Sequence, residues 1–167
     1  MSGAADIHRA VAALWDSGGL NTLFQSYWAT ADRNSYVSLN DGNAAPNTPF
    51  PYVTYTAPKS NTRSRMSGTG QEKRSIQDQP WIFNVFALKT STLSGKELAA
   101  FLADEILKVF GGHPTVEPTY PSLDNGNCLN VQYQDDYSDP EEDEIHGIHR
   151  WVIEYKITSD IPVMVGA

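Results

Sequence analysis

The chain has 167 residues, 40% of them hydrophobic and 11% aromatic, with one cysteine and a formal net charge of −8. That length and apolar content suit one domain over residues 1–167 with a real core, and the aromatic content argues against disorder. The charge argues against a general nucleic-acid coat, and the single Cys128 rules out an internal disulfide and a cysteine-based zinc site.

No apolar run approaches the roughly 20 residues that span a bilayer. The N-terminus lacks the basic start and apolar block of a signal peptide, and one cysteine fits synthesis in a reducing cytoplasm. Ile7, Ala10, Val11, Leu14 and Trp15 recur at i, i+3, i+4, i+7 and i+8, which predicts an amphipathic helix from Ala4 to Asp16, ended by Ser17-Gly18-Gly19. Within Leu20 to Asp32, Leu23, Phe24, Tyr27 and Trp28 repeat that spacing and predict a short second helix. Tyr36 to Leu39 reads as a short strand, Asn40 to Pro51 as a loop rich in turn formers, and Tyr52 to Ala57 as a strand.

Pro58 to Pro80 is almost devoid of apolar residues, Met66 and Ile76 excepted. It sets Lys59, Arg63, Arg65, Lys73 and Arg74 against Glu72 and Asp78. It reads as one long basic loop, and polar loops of that length are functional or disordered. Trp81 to Leu88 is apolar in both phases of a period-2 pattern, Asn84 excepted, as expected for a central strand covered on both faces. Ser94 and Glu97 fit a capping box. The helix after it should bury Leu98, Phe101, Leu102, Ile106, Val109 and Phe110 and expose an Asp104–Lys108 pair. Gly111-Gly112 and Pro114 end it.

Asp124-Asn125-Gly126 is a turn signal. Cys128 to Tyr133 alternates as a strand, with Leu129, Val131 and Tyr133 on one face. Asp135 to Glu144 reads as an acidic loop carrying Asp135, Asp136, Asp139, Glu141, Glu142, Asp143 and Glu144. His149 to Ile157 is the clearest half-buried strand, with Trp151, Ile153, Tyr155 and Ile157 sharing a face. Ser159 to Ala167 reads as a short edge segment. The sum is α+β: a mostly antiparallel sheet of four to five strands, helices mainly on one face, and long inter-strand loops.

Chemistry-bearing patterns are sparse. His146 and His149, beside Asp143 and Glu144, have ligand-type side chains. A spacing of three on a strand sends the two rings to opposite faces, so a histidine pair at a strand edge competes with a metal site. The acidic loop lacks the regular oxygen spacing of a calcium loop and is interrupted by Pro140. Ser67-Gly68-Thr69-Gly70 and Lys73 only partly match a phosphate loop, and no helix pattern begins there. Cys128 reads as a structural thiol, and no serine stands in a Gly-x-Ser-x-Gly elbow. Trp15, Trp81 and Trp151 fall at core phases, while Trp28 is open. No catalytic, cofactor or metal site is assembled. A small metal-dependent hydrolase using His146, His149 and Asp143, and a monomeric ligand-binding domain, stay as alternatives of other classes.

The run Pro49-Phe50-Pro51-Tyr52-Val53-Thr54-Tyr55 before a long loop resembles the Pro-Tyr-Val strand of the tail terminator and tail completion proteins of long-tailed bacteriophages. The order of elements from Ile7 to Ile157 is similar as well, including the helix with Ala100-Phe101-Leu102-Ala103-Asp104. The Asn40-to-Pro49 loop and the acidic tip are longer than in the simplest members. The resemblance implies a structural virion protein and not an enzyme. Its members form a hexameric ring on the finished tail tube, stop its polymerisation, and face the head–neck connector while DNA passes through the lumen without specific binding. They sit at the tail–neck junction and assemble in the host cytoplasm. Another neck or head-closure adaptor is the alternative. On this chain the candidate interface residues for neighbour or tube are Lys59, Arg63, Arg65, Lys73 and Arg74 on the basic side. On the acidic side they are Asp135, Asp136, Asp139, Glu141, Glu142, Asp143 and Glu144.

Overall fold

The computed structural model describes residues 3–30, 32–58, 61–66, 74–124, 126–139 and 147–162. In chain order these carry α1 (Gly3–Ser17), α2 (Leu20–Ser26), β1 (Leu39–Asp41), β2 (Tyr52–Thr56), β3 (Asn61–Met66), β4 (Arg74–Leu88), α3 (Gly95–Phe110), β5 (Asn127–Ser138) and β6 (Ile148–Pro162). The class is α+β. The strand order is β1-β2-β4-β6-β5, and β3 also pairs with β4. All pairings are antiparallel except β1 with β2, which is parallel.

β4 and β6 pair along their whole length, from Arg74 opposite Pro162 to Leu88 opposite Ile148. On its other edge β4 serves two partners in turn: β3 pairs with Arg74 to Asp78, and β2 pairs with Ile82 to Phe86. Pro80 lies in the gap between them. A proline has no N–H to give to a ladder, and this gap is where the second edge asks for none.

Alternation along β4 and β6 puts Trp81, Phe83, Val85, Ile153, Tyr155 and Ile157 on one face, where all are buried. The helices cover that face. Phe110 of α3 lies 5.2 Å from Phe83, ring centre to ring centre, and Trp15 of α1 lies 6.1 Å from Phe83. Trp15 also meets Phe24 of α2 at 5.3 Å. Tyr55 stacks on Trp81 at 4.8 Å, and His8 stands edge-on to both. The other face carries an aromatic stack of Phe50, Tyr52 and Phe86.

Several elements follow the sequence reading. α1 occupies its expected span within a residue at each end, while α2 starts at Leu20 but ends at Ser26, short of Tyr27 and Trp28. The Ser94 side chain accepts the Glu97 N–H at 3.1 Å, and Gly111 closes α3 with a φ of 66°. A Cβ on Gly111 would stand 1.8 Å from the Glu117 carbonyl oxygen, so only glycine fits this cap. Trp28 is buried, and its Nε1–H donates to the Pro51 carbonyl at 2.8 Å, tying the second helix to the start of β2.

Others differ. The stretch from Pro58 to Pro80 is not one loop: β3 and the first half of β4 fall within it. Polar residues hide the strand signal here, because the stretch lacks apolar alternation while its polar side chains find hydrogen-bond partners. Thr158 donates to Asp78 at 2.6 Å, and Gln79 donates to the Pro58 and Pro80 carbonyls. The first short strand lies at Leu39–Asp41 and not Tyr36 to Leu39; the Asn40 amide holds it by donating to the Val53 carbonyl at 3.2 Å. The acidic loop is strand as far as Ser138. Residues 159–162 extend β6 in the middle of the sheet and do not form an edge. In α3 the buried stripe is Leu98, Ala99, Leu102, Ala103, Ile106, Leu107 and Phe110; Phe101 is 41% exposed. Ala99 and Ala103 let the helix sit close to the sheet, which turns the stripe away from Phe101. Lys108 pairs with Glu105 at 2.6 Å, an i,i+3 contact, instead of Asp104.

Two substitutions test this rotation of α3. Phe83→Ala should cost about 3–5 kcal/mol in urea unfolding. Phe101→Ala should stay within about 0.5 kcal/mol, as at an exposed site away from the core. A large loss for Phe101→Ala would contradict the orientation.

Candidate assembly surface

The register of the sheet fixes where the charged candidates stand. Arg63 and Arg65 are on β3, and Arg74 opens β4 beside Pro162. Asp135 and Asp136 are on β5, where Asp135 faces Glu154 and Glu154 faces Ile82. Eight residues of β4 separate Arg74 from Ile82, about 26 Å at the usual strand rise. β3 flanks β4 on one side, and β5 flanks β6 on the other. The basic and acidic positions therefore lie diagonally across one sheet. Lys59, Lys73, Glu141, Glu142, Asp143 and Glu144 lie outside the described residues, as do His146, Pro140 and the Ser67-to-Gly70 run.

The three described acids differ in what they do. Asp136 accepts hydrogen bonds from the Tyr133 hydroxyl and from Trp151 Nε1, the latter at 2.8 Å. Asp139 is buried, forms an ion pair with Arg150, and donates its N–H to the Arg150 carbonyl at 2.9 Å. Asp135 is exposed; its carboxylate accepts the Asp136 N–H at 2.9 Å. Asp135 is thus the described acid with its charge turned to solvent, while Asp136 and Asp139 fasten the end of the β5–β6 hairpin. Sequence reasoning missed this division; Tyr133 and Trp151, aromatic donors flanking an acid cluster, were the available signal.

The same part of the sheet raises two phenol pKa values. Burial, followed by the hydrogen bond to Asp136, pushes the Tyr133 hydroxyl up. Burial also pushes up that of Tyr155, which donates to the Gly111 carbonyl at 3.0 Å. Both remain protonated donors through the physiological range.

His149 sits on β6 opposite Ala87, half-buried against Gly95 at the start of α3. A Cβ on Gly95 would come within 2.4 Å of the ring. Among the described residues no three His, Cys, Asp or Glu side chains converge to hold a metal ion. Burial raises the Cys128 thiol to about 11, and its Sγ points at the Asn130 carbonyl 3.7 Å away. A nucleophilic cysteine needs the opposite shift. Among the described residues no helix is long and apolar enough to cross a membrane.

Among the described residues, clefts open at three places on the surface. One of about 480 Å³ lies between residues 112–118 and β5 and is mainly polar. A second, of about 380 Å³, lies among α1, α2 and β1, where Trp15 Nε1 donates to Ser38 and Ser38 donates to Asn21. The third, about 410 Å³, has walls of Tyr27, Pro49, Phe50, Leu88 and Leu98, with Lys89 at its rim.

Asp136→Ala leaves the Tyr133 O–H and the Trp151 N–H without their acceptor and should cost about 1.5–3 kcal/mol, whereas Asp135→Ala should change stability by less than about 0.5 kcal/mol. Equal losses for the two would refute the division of roles. Alkylation of Cys128 by iodoacetamide at pH 8 should run about a hundredfold slower than for an ordinary exposed thiol, because so little is thiolate. Its rate should rise with pH up to about 11.

No family model matches this chain, and no curated protein matches it in sequence. Among solved structures it is similar to a chain of one described as "Virion of native gene transfer agent (GTA) particle". That chain shares 14% identity with it at a TM-score of 0.42, over 74% of this chain and 78% of the other.

Proposed function

We propose that this chain is a structural subunit of a phage-type tail: a tail terminator that closes into a ring, with six copies expected, on the completed tail tube. The observation that carries the reading is the diagonal placement of the basic and acidic groups on one sheet. A ring is a heterologous assembly, in which each copy offers two different complementary surfaces to its two neighbours. Here Arg74 and Asp135 stand about 26 Å apart along β4. They are too far apart to neutralise each other, since charges are screened over about 8–10 Å in physiological salt.

In this reading Arg63, Arg65 and Arg74, with Lys59 and Lys73, meet Asp135 and Glu141 to Glu144 of the next copy or of the tube protein. Exposed ion pairs contribute only about 0–1 kcal/mol each. Their part is to orient subunits and speed encounter, and the remaining free energy comes from apolar contact. The tube protein below and the head–neck connector above are the partners, DNA passes through without specific binding, and the place is the tail–neck junction of a virion. No catalytic step belongs to this role.

Arg63→Glu, Arg65→Glu, Lys73→Glu and Arg74→Glu together should abolish ring formation or tube binding while the unfolding midpoint is kept. The readouts are solution mass over a wide concentration range, negative-stain imaging and cosedimentation with isolated tails. Intact rings on tails from a folded quadruple variant would defeat the reading. Assembly of the parent chain should also weaken steeply with salt.

A further inference from the structure

The cleft of about 380 Å³ among α1, α2 and β1 combines apolar walls with two carboxylates. Trp15, Val37, Leu39 and Tyr55 line it, and so do Asp16 and Asp41. Its neutral polar groups bond one another: Trp15 Nε1 donates to Ser38 at 2.9 Å, and Ser38 donates to Asn21 at 2.6 Å. The two acids are left over. Among the described residues no lysine or arginine pairs with either. Asp41 has the His8 ring at 3.9 Å, and that ring already bonds the Tyr55 hydroxyl at 3.1 Å. Asp16 stands in the last turn of α1, which carries no basic residue. It faces the negative end of the helix dipole there, an unfavourable place for an acid in the chain alone. The negative field reaches the cleft wall as well: burial, and after it the Asp41 carboxylate, raise the Tyr55 phenol above its ordinary pKa.

We infer that this cleft receives a lysine or arginine side chain of another protein. Such a side chain joins the two chemistries that the cleft joins, an apolar stem and a cationic head. The stem meets Trp15, Leu39 and Tyr55, and the head meets the Asp16 and Asp41 carboxylates. An acidic side chain would be repelled by both carboxylates. A purely apolar one would strip them of water and leave them unpaired. A free polyamine carries the same cationic head, so the rest of the cleft decides the source. Val37 lines it and is 59% exposed, a large apolar side chain turned to solvent. A peptide covers Val37 with an apolar residue beside its lysine or arginine, and a polyamine, charged every few atoms, does not. A partner that is basic at this point also complements a chain with a net charge of −8. The contact does not depend on the ring reading.

The test titrates the full isotope-labelled chain with the peptide acetyl-Ala-Leu-Arg-Leu-Ala-amide, with the same peptide carrying norleucine or glutamate in place of arginine, and with spermidine. The NMR signal of the Trp15 indole N–H, which bonds Ser38 beside the cleft, reports occupancy. The arginine peptide should shift it saturably and bind at least about fivefold tighter than the other two peptides, the scale of one partly exposed ion pair. Asp16→Asn and Asp41→Asn should each weaken it about threefold, and together about tenfold. Val37→Ser should weaken the arginine peptide about threefold and leave spermidine unchanged. Melting curves first show each variant folded, and the peptide series on the parent chain decides the matter where one is not. Equal affinity for the arginine and norleucine peptides, or no saturable indole shift with any peptide, overturns the inference. Spermidine that shifts the indole signal at lower concentration than the arginine peptide, and fails to do so in the Asp16→Asn, Asp41→Asn double variant, makes the cleft a site for a small polycation and overturns the protein source.

Discussion

The pairing of β4 with β6 is the constraint on which the rest depends. Its length, 15 residues on each strand, exceeds what the helices need as a platform. An ordinary strand has about five or six residues. The surplus gives the sheet two ends, and each end holds different chemistry. One half buries Trp81, Phe83, Val85, Ile153 and Tyr155 under the helices. The other half, from Arg74 to Gln79 and from Thr158 to Pro162, is mainly polar in sequence, and there the Thr158 hydroxyl donates to Asp78 across the backbone ladder. Asp160 belongs to this half as well, accepting the Asn127 backbone N–H at 2.8 Å.

The core was legible because its signals are local. Periodicity marked α1 and β6, and the Ser94 cap fixed the start of α3 within a residue. What stayed hidden depends on partners distant in sequence. The polar half of β4 has no apolar alternation to read, since the positions it buries include Ser75 and Gln79. Asn40 and Asp41 are turn formers that a parallel partner recruits into β1. Phe101 stands at helical spacing but faces out, because two alanines on the neighbouring stripe allow closer approach to the sheet. In each case tertiary context overrides a local preference that was read correctly.

The candidate surface was partly legible for the same reason. Charge of each sign was visible as a run in the sequence, but its distribution in space is a matter of register. Nothing local says that Asp135 lies two strands across from β4 and eight residues along it from Arg74; the ladder from β4 through β6 to β5 does. Nor does composition separate an acid that holds a hairpin together from one that faces water. Tyr133 and Trp151 make that distinction by aiming their donors at Asp136, and Arg150 makes it by pairing with Asp139.

This division of labour bears on how an acidic patch can serve assembly and still fold. A cluster of like charges on a strand end repels itself. Committing two of the three described carboxylates to internal donors lowers that cost and fixes the backbone that presents the third. The described part of β5 is then a fixed support with an exposed charge on it. A rigid surface loses less conformational entropy when a partner docks. Weak, screened ion pairs can then set orientation, while the energy of association comes from burying apolar surface. The long ladder serves the first of these, because it fixes the spacing between the charged positions in a single rigid element.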